Sequence, residues 1–364
     1  MKKLFLALGV VASIGLSSCN DVNVYKLEAH QGAFVLNQGS SKSTISYYNY
    51  EREECTNDYY QLKNNGASIG AGATTMAINR NSDFPRGVAY VTVPNDNSVE
   101  LINLDGFIDA GNIDDYTKPN DVLVAGDTTI YVSHENNKVS EYDVMNNNPV
   151  RTFDLDDQPQ KLISSGKYLY AACKGDANGS NVFVVDMSNN ILVDTVELSH
   201  NNPIDMVVDT DRRVWIYCNS DEQALVRLDR EFVTKVLDEG EETERDTIFI
   251  TNEATTFVLG EKSVDYAKPL TISPDGRTLY YVYGKLWSNS VYIENEDELK
   301  KNAAVTGNYS EEAFNGIDYD SRRNRLMGLT TGKQLVVLRN TDEGWTDDEV
   351  YTVGDNPIMT SFNY

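Results

Sequence analysis

Basic charge is scarce in this sequence: 31 Lys and Arg stand against 56 Asp and Glu, a formal net charge of −25. A duplex-binding protein needs a basic face to displace backbone counterions, which argues against nucleic acid as a partner. The same deficit argues against docking on anionic lipid through a polybasic patch. Histidine is limited to three residues and cysteine to four, so a multi-ligand metal centre has little to be built from. Long apolar runs are also missing. The longest, from Leu4 to Leu16, would rise about 20 Å as a helix, short of a hydrocarbon core of about 30 Å. What is present is 40% hydrophobic residues, enough for a large core. With 24 Gly and 22 Tyr, the composition favours many short strands and turns.

Lys2 and Lys3 precede the Leu4–Leu16 run, and Leu16-Ser17-Ser18-Cys19 closes it. A basic start, a short apolar run and small residues before a cysteine read as a lipoprotein signal over residues 1–18, with Cys19 the lipidated thiol. Loss of Lys2 and Lys3 on cleavage takes the charge from −25 to −27. Residues 19–31 are polar and form a tether that spans roughly 40 Å when extended. The lipid on Cys19 is then the link to the membrane. The expected organisation is a signal peptide (1–18), a tether (19–31) and one folded domain (32–364).

The domain repeats. Residues 118–157 read as four short strands, PNDVLVAGD, TTIYVSHE, KVSEYDVM and VRTFDLD, and the same order returns from Gln158, Asn202 and Lys268. Prolines open the first strands at Pro119, Pro159, Pro203 and Pro269, spaced 40, 44 and 66 residues apart. The longest gap holds an acidic insertion, Asp238–Asp246, which reads as a solvated hairpin tip on the fifth unit. Turns such as AGDT, SPDGR and DSRRN supply the Asp, Gly, Ser and Asn that local side-chain turns and positive φ favour. Four antiparallel strands every 40–50 residues make the blade of a β-propeller. First strands fall near 74–80, 119–125, 159–164, 203–209, 269–273, 314–319 and 357–363, and second strands also number seven. The N-terminal unit lacks a first strand and the C-terminal end supplies one. The expected fold is therefore all-β: a seven-bladed β-propeller of four-stranded antiparallel blades, closed by pairing of the C-terminal strand with the N-terminal repeat. An open solenoid or two sandwiches would not explain the matching counts.

The chain lacks the Gly-His and Trp-Asp signature of WD40 repeats and the paired glycines of kelch. AYVTVPNDNSVELINLD (89–105) and IYVSHENNKVSEYDV (130–144) resemble the repeat of YncE-like propellers. GAFVLNQGSSKSTISYYNYE (32–51) and ATTMAINR (73–80) resemble a lipoprotein family of gut Bacteroidetes that carries the DUF5074 domain. The resemblance implies a surface-exposed outer-membrane lipoprotein of the BtuG type. Such proteins bind cobalamin and related corrinoids on a TonB-dependent transporter. It carries over no residue roles, because the matching motifs describe blades.

Second strands align on Phe34, Tyr90, Tyr131, Tyr170, Trp215 and Tyr280, which are expected to pack between blades. Three residues on stand Asn37, Val93, His134, Cys173, Cys218 and Tyr283, with Thr330 equivalent. These ends and the loops after them are expected to line one mouth of the channel. The loops contribute Gln38, Asn95, Asp96, Glu135, Asn136, Lys174, Asp176, Asn219, Asp221, Lys285 and Trp287. Asn37, His134, Asn136, Lys174, Asn219, Tyr283 and Trp287 are the candidate ligand-binding set, since aromatics supply area and amides supply hydrogen bonds. His134 reads either as a metal or cobalt ligand, as a base, or as a hydrogen-bonded mouth residue. Cys173 and Cys218 occupy equivalent positions in adjacent blades. A disulfide or a zinc site with His134 is conceivable there, and free thiols, with Cys55 unpaired, are the default. Asn308-Tyr309-Ser310 is a sequon of no weight in a bacterial lipoprotein.

Three functions remain open. Capture of a small nutrient, with a corrinoid as leading ligand, needs a pocket, an anchor and no catalytic cofactor. A protein-interaction scaffold needs only an acidic, loop-rich surface. A propeller enzyme of the lactonase or lyase type needs several converging His or carboxylates, and the expected mouth offers one His.

Overall fold

The strands that open each repeat line a single axis. They run Thr75–Asn79, Asp121–Val124, Pro159–Ser165, Pro203–Val208, Leu270–Ile272, Phe314–Asp320 and Pro357–Asn363. Each is the edge of its own sheet, and each packs beside the next until the last meets the first. The computed structural model describes residues 31–39, 41–175, 180–237, 245–262, 264–302, 304–306, 314–342 and 344–364. The signal segment, Cys19, the tether up to residue 30, Asp176, the acidic stretch 238–244 and the sequon lie outside the described residues.

Residues 75–113, 121–154, 159–198 and 203–261 form blades two to five, each four antiparallel strands in chain order. The seventh blade adds Phe314–Asp320, Arg325–Thr330, Gln334–Thr341 and Gly344–Thr352. The first blade is made from both ends of the chain. Pro357–Asn363 pairs antiparallel with Gly32–Asn37, and Thr44–Asn49 and Glu54–Thr56 follow. The seven-bladed ring and its mode of closure are as the repeats predict. One detail was not legible in the repeats. The sixth blade has three strands, Leu270–Ile272, Thr278–Tyr283 and Lys285–Ser290, and the next segment, Val305–Thr306, pairs instead in parallel with the outer edge of the seventh.

The turns form for the reasons their sequences suggest. In SPDGR, Gly276 has φ +68°, and a Cβ there would stand 2.6 Å from the Thr210 backbone nitrogen of the preceding blade. The Thr210 N–H donates to the Gly276 carbonyl at 3.0 Å, so this turn also links two blades. The six aligned aromatics are all buried, and each contributes about 1.5–3 kcal/mol by leaving water. They join neighbours as expected: Phe34 stacks on Phe107 of the second blade at 4.6 Å, and the Tyr170 hydroxyl donates to Asn252 at 3.0 Å.

Strand direction fixes two faces. Loops entering each first strand and loops leaving each second strand share one face. The opposite face carries the first turns of the blades. It also carries the fifth-blade hairpin, Glu222–Leu237 with Arg245–Glu261. The neighbouring strand covers this hairpin only as far as Leu228, while pairing continues from Asp229 and Glu253 to Leu237 and Arg245. The chain enters the ring on the hairpin face too, since Gly32 pairs with Asn363.

Candidate functional site

Four first strands carry the same irregularity at their opening. Pairing skips Gln160, Ile204, Asn315 and Ile358, each one residue inside the strand start. An extra residue of this kind bends a strand and re-aims the side chains around it. Here the bends surround the axis, and a central cavity of about 230 Å³ opens between them on the face opposite the hairpin. Gln38, Thr74, Asn120, Gln160, Ile204 and Ile358 line it from the first five blades. Lys161, Ala267, Lys268 and Met359 complete the wall.

Beside the cavity lies a set of charges on the inner strands. Asp121, Asp205 and Asp318 are buried, and each reaches across to the next inner strand. Asp121 Oδ2 accepts the Leu162 N–H at 2.7 Å, and Asp205 Oδ2 accepts the Leu270 N–H at 2.9 Å. Asp318 Oδ2 accepts both the N–H and the hydroxyl of Thr360, at 2.8 and 2.6 Å. The cations are less evenly placed. Lys268 Nζ donates to Asp318 Oδ1, whereas Lys161 Nζ stands 3.9 Å from Asp121 Oδ1, beyond hydrogen-bond reach. Burial pushes the Asp205 carboxyl up to about 6, against the pull of Lys268 and then Lys161. Burial alone would lower Lys268, but Asp318 and Asp205 outweigh it and its pKa rises.

A cleft of about 640 Å³ opens on the same face between the fourth and fifth blades, with Lys174, His200, Asn219, Glu222 and Lys262 in its wall. His200 Nδ1 meets Ser199 Oγ at 3.0 Å, and Nε2 lies 3.4 Å from Glu222 Oε2. This is a second histidine on the candidate face, correcting the expectation of one. Smaller clefts flank Lys42 and Asp355, and Ser68 and Asp96.

The candidate residues chosen from the sequence share the face, but not one site. Lys174 and Asn219 meet in the inter-blade cleft, where Asn219 Nδ2 donates to Asp265 Oδ1 at 3.0 Å. Asn37 is fully buried and donates to Ser46 Oγ at 3.0 Å. His134 is buried beneath Tyr116, whose ring is 4.9 Å away, with Nε2 2.9 Å from Ser140 Oγ. Burial, aided by the charge of Lys138, pulls its pKa down to about 4, so the ring is neutral at pH 7. Asn136 is an exposed turn residue with φ 66°. Trp287 Nε1 donates to the Tyr283 carbonyl at 2.9 Å, and the Tyr283 hydroxyl donates to the Glu261 carbonyl at 3.1 Å. Cys55, Cys173 and Cys218 are free thiols, and among the described residues no three His, Cys, Asp or Glu are grouped to hold a metal.

The inner-strand set Asp121, Lys161, Asp205 and Asp318, with Lys268, was missed. Its signal was available: a charged residue two places after each of Pro119, Pro159 and Pro203.

No family model matches the chain, and no curated protein matches it. A similar solved structure is that of a quinonprotein alcohol dehydrogenase-like protein from Bacteroides thetaiotaomicron, with a TM-score of 0.63 and 14% identity, covering 92% of this chain and 79% of that one. At that identity the likeness shows the propeller fold alone.

Proposed function

Starting from a propeller ring with its cavity and clefts gathered on one face, we propose that the protein captures a small nutrient and is not an enzyme. In this reading it is a lipoprotein anchored through Cys19 in the outer membrane and exposed at the cell surface. It passes its ligand, a corrinoid such as cobalamin, to a TonB-dependent transporter. The observation that carries the reading is orientation. The segment that carries Cys19 joins the ring at Gly32 on the hairpin face, so the point of attachment and the cavity lie on opposite faces of the ring. The central cavity is smaller than the 300–1,000 Å³ typical of pockets that enclose a ligand. A corrinoid therefore lies across the face, with part of its amide-bearing periphery in the clefts around the cavity. The inner-strand carboxylates are committed to backbone N–H groups, and the neutral His134 is committed to Ser140, which supports binding over catalysis.

The test is a titration of the lipid-free chain, starting at Asn20, with cyanocobalamin and cobinamide, following heat and the visible corrin bands together. One-to-one binding is expected, without a band shift from His134, whose ring nitrogen is buried against Ser140. Absence of binding at micromolar protein removes the corrinoid. A His134→Ala variant that loses the ligand while remaining folded would place the site elsewhere than the cavity and clefts.

A further inference from the structure

The cavity has donors to spare. Among the described residues Lys161 Nζ has no hydrogen-bond partner, its nearest carboxylate oxygen being 3.9 Å away, and its side chain is 27% exposed. Lys268 spends one of three N–H groups on Asp318 and is 24% exposed in the same wall. The Gln160 side chain, set into the cavity by its bulge, makes no hydrogen bond among the described residues either. The acceptors nearby are already used: both oxygens of Asp121, Asp205 and Asp318 accept hydrogen bonds from Thr75, Leu162, Met206, Leu270, Lys268 and Thr360.

We propose that the axial cavity is a site for a short carboxylate-bearing arm of a small molecule, held by Lys161 and Lys268 and by the Gln160 amide. The proposal goes beyond the corrinoid reading and does not depend on it, because the arms of cyanocobalamin and cobinamide are neutral amides. A carboxylate offers acceptors only, which is what unspent ammonium and amide N–H groups require. A cationic arm meets two ammonium groups. The aliphatic part of the arm packs on Ile204, Ile358, Met359 and Ala267. The volume of about 230 Å³ suits a short arm and not a macrocycle.

The probe is succinate, with succinamide as its neutral counterpart of the same shape, titrated calorimetrically into the lipid-free chain and into Lys161→Met and Lys161→Arg. Lys161→Met leaves Asp121 bonded to Thr75 and Leu162, so the fold is retained, and a thermal melt checks it. The wild type is expected to bind succinate at millimolar concentration and not succinamide. Lys161→Met should weaken binding about tenfold to a hundredfold, and Lys161→Arg should keep it within about threefold. Equal binding of succinamide, unchanged binding in a folded Lys161→Met, or no heat with succinate at ~10 mM overturns the site.

Discussion

Replacing Asp318 with alanine is expected to lower the free energy of unfolding by about 3–5 kcal/mol, the range for removing one partner of a buried ion pair. Three elements depend on this carboxylate. It lies on the inner strand of the seventh blade and accepts the Thr360 N–H and hydroxyl from the strand that closes the ring. It also receives Lys268 from the sixth blade. Alanine leaves the buried Thr360 N–H without a partner and the Lys268 ammonium without its nearest counter-charge, and each omission carries a desolvation cost. The seam matters because pairing between Pro357–Asn363 and Gly32–Asn37 joins the two chain ends within the first blade. Asp318→Asn keeps an acceptor for Thr360 and should lose less. Urea unfolding of both variants measures the effect. A midpoint for Asp318→Ala within about 1 kcal/mol of wild type would show that the ring closes without this contact.

Acid should act on the fold through two buried groups of opposite sign. His134 in the native state has a pKa of about 4, below its ordinary 6.5. Between those values the unfolded chain takes a proton that the native one refuses, so stability falls as pH drops, by about 3 kcal/mol from pH 7 to pH 4. Asp205 has a native pKa of about 6, above its ordinary 3.8. Between those values the native state binds the proton first, so stability rises as pH drops, by an amount of the same order. In the wild type the two largely cancel across this window. The cancellation is exposed by His134→Gln, which keeps a hydrogen-bonding group opposite Ser140 and removes the titration. The stability of this variant relative to wild type should improve by about 3 kcal/mol from pH 7 to pH 4. Denaturant curves at the two pH values give that difference directly. Parallel behaviour of the two proteins would mean that His134 takes up its proton freely in the native state.

The site was less legible than the blades, and the reason lies in strand order. Second strands were identified correctly, and their last residues do share one face. A second strand, however, is flanked by the first and the third. Its end residues are therefore enclosed, as the burial of Asn37, His134, Cys173, Cys218 and Thr330 shows. Only the innermost strand meets the axis. Reading the register one strand further inward would have selected Asp121, Lys161 and Asp205, whose charges recur two places after a strand-opening proline. The repeated bulge left no mark on the sequence. An added residue in a strand is defined by its partner's register and not by its own identity.

Fold class, blade number, the position of nearly every strand and the closure of the ring by both chain ends follow from the sequence itself. They rest on local chemistry that recurs around the ring: proline at most first-strand starts, Asp and Gly in turns, and alternating apolar residues between them. Such signals need no knowledge of distant neighbours. The displaced fourth strand of the sixth blade, the committed state of His134, and the gathering of Lys161, Asp205, Lys268 and Asp318 around one axis were decided by tertiary structure. They depend on groups far apart in the chain, such as Asp205 and Asp318, 113 positions apart, which only closure of the ring brings within reach.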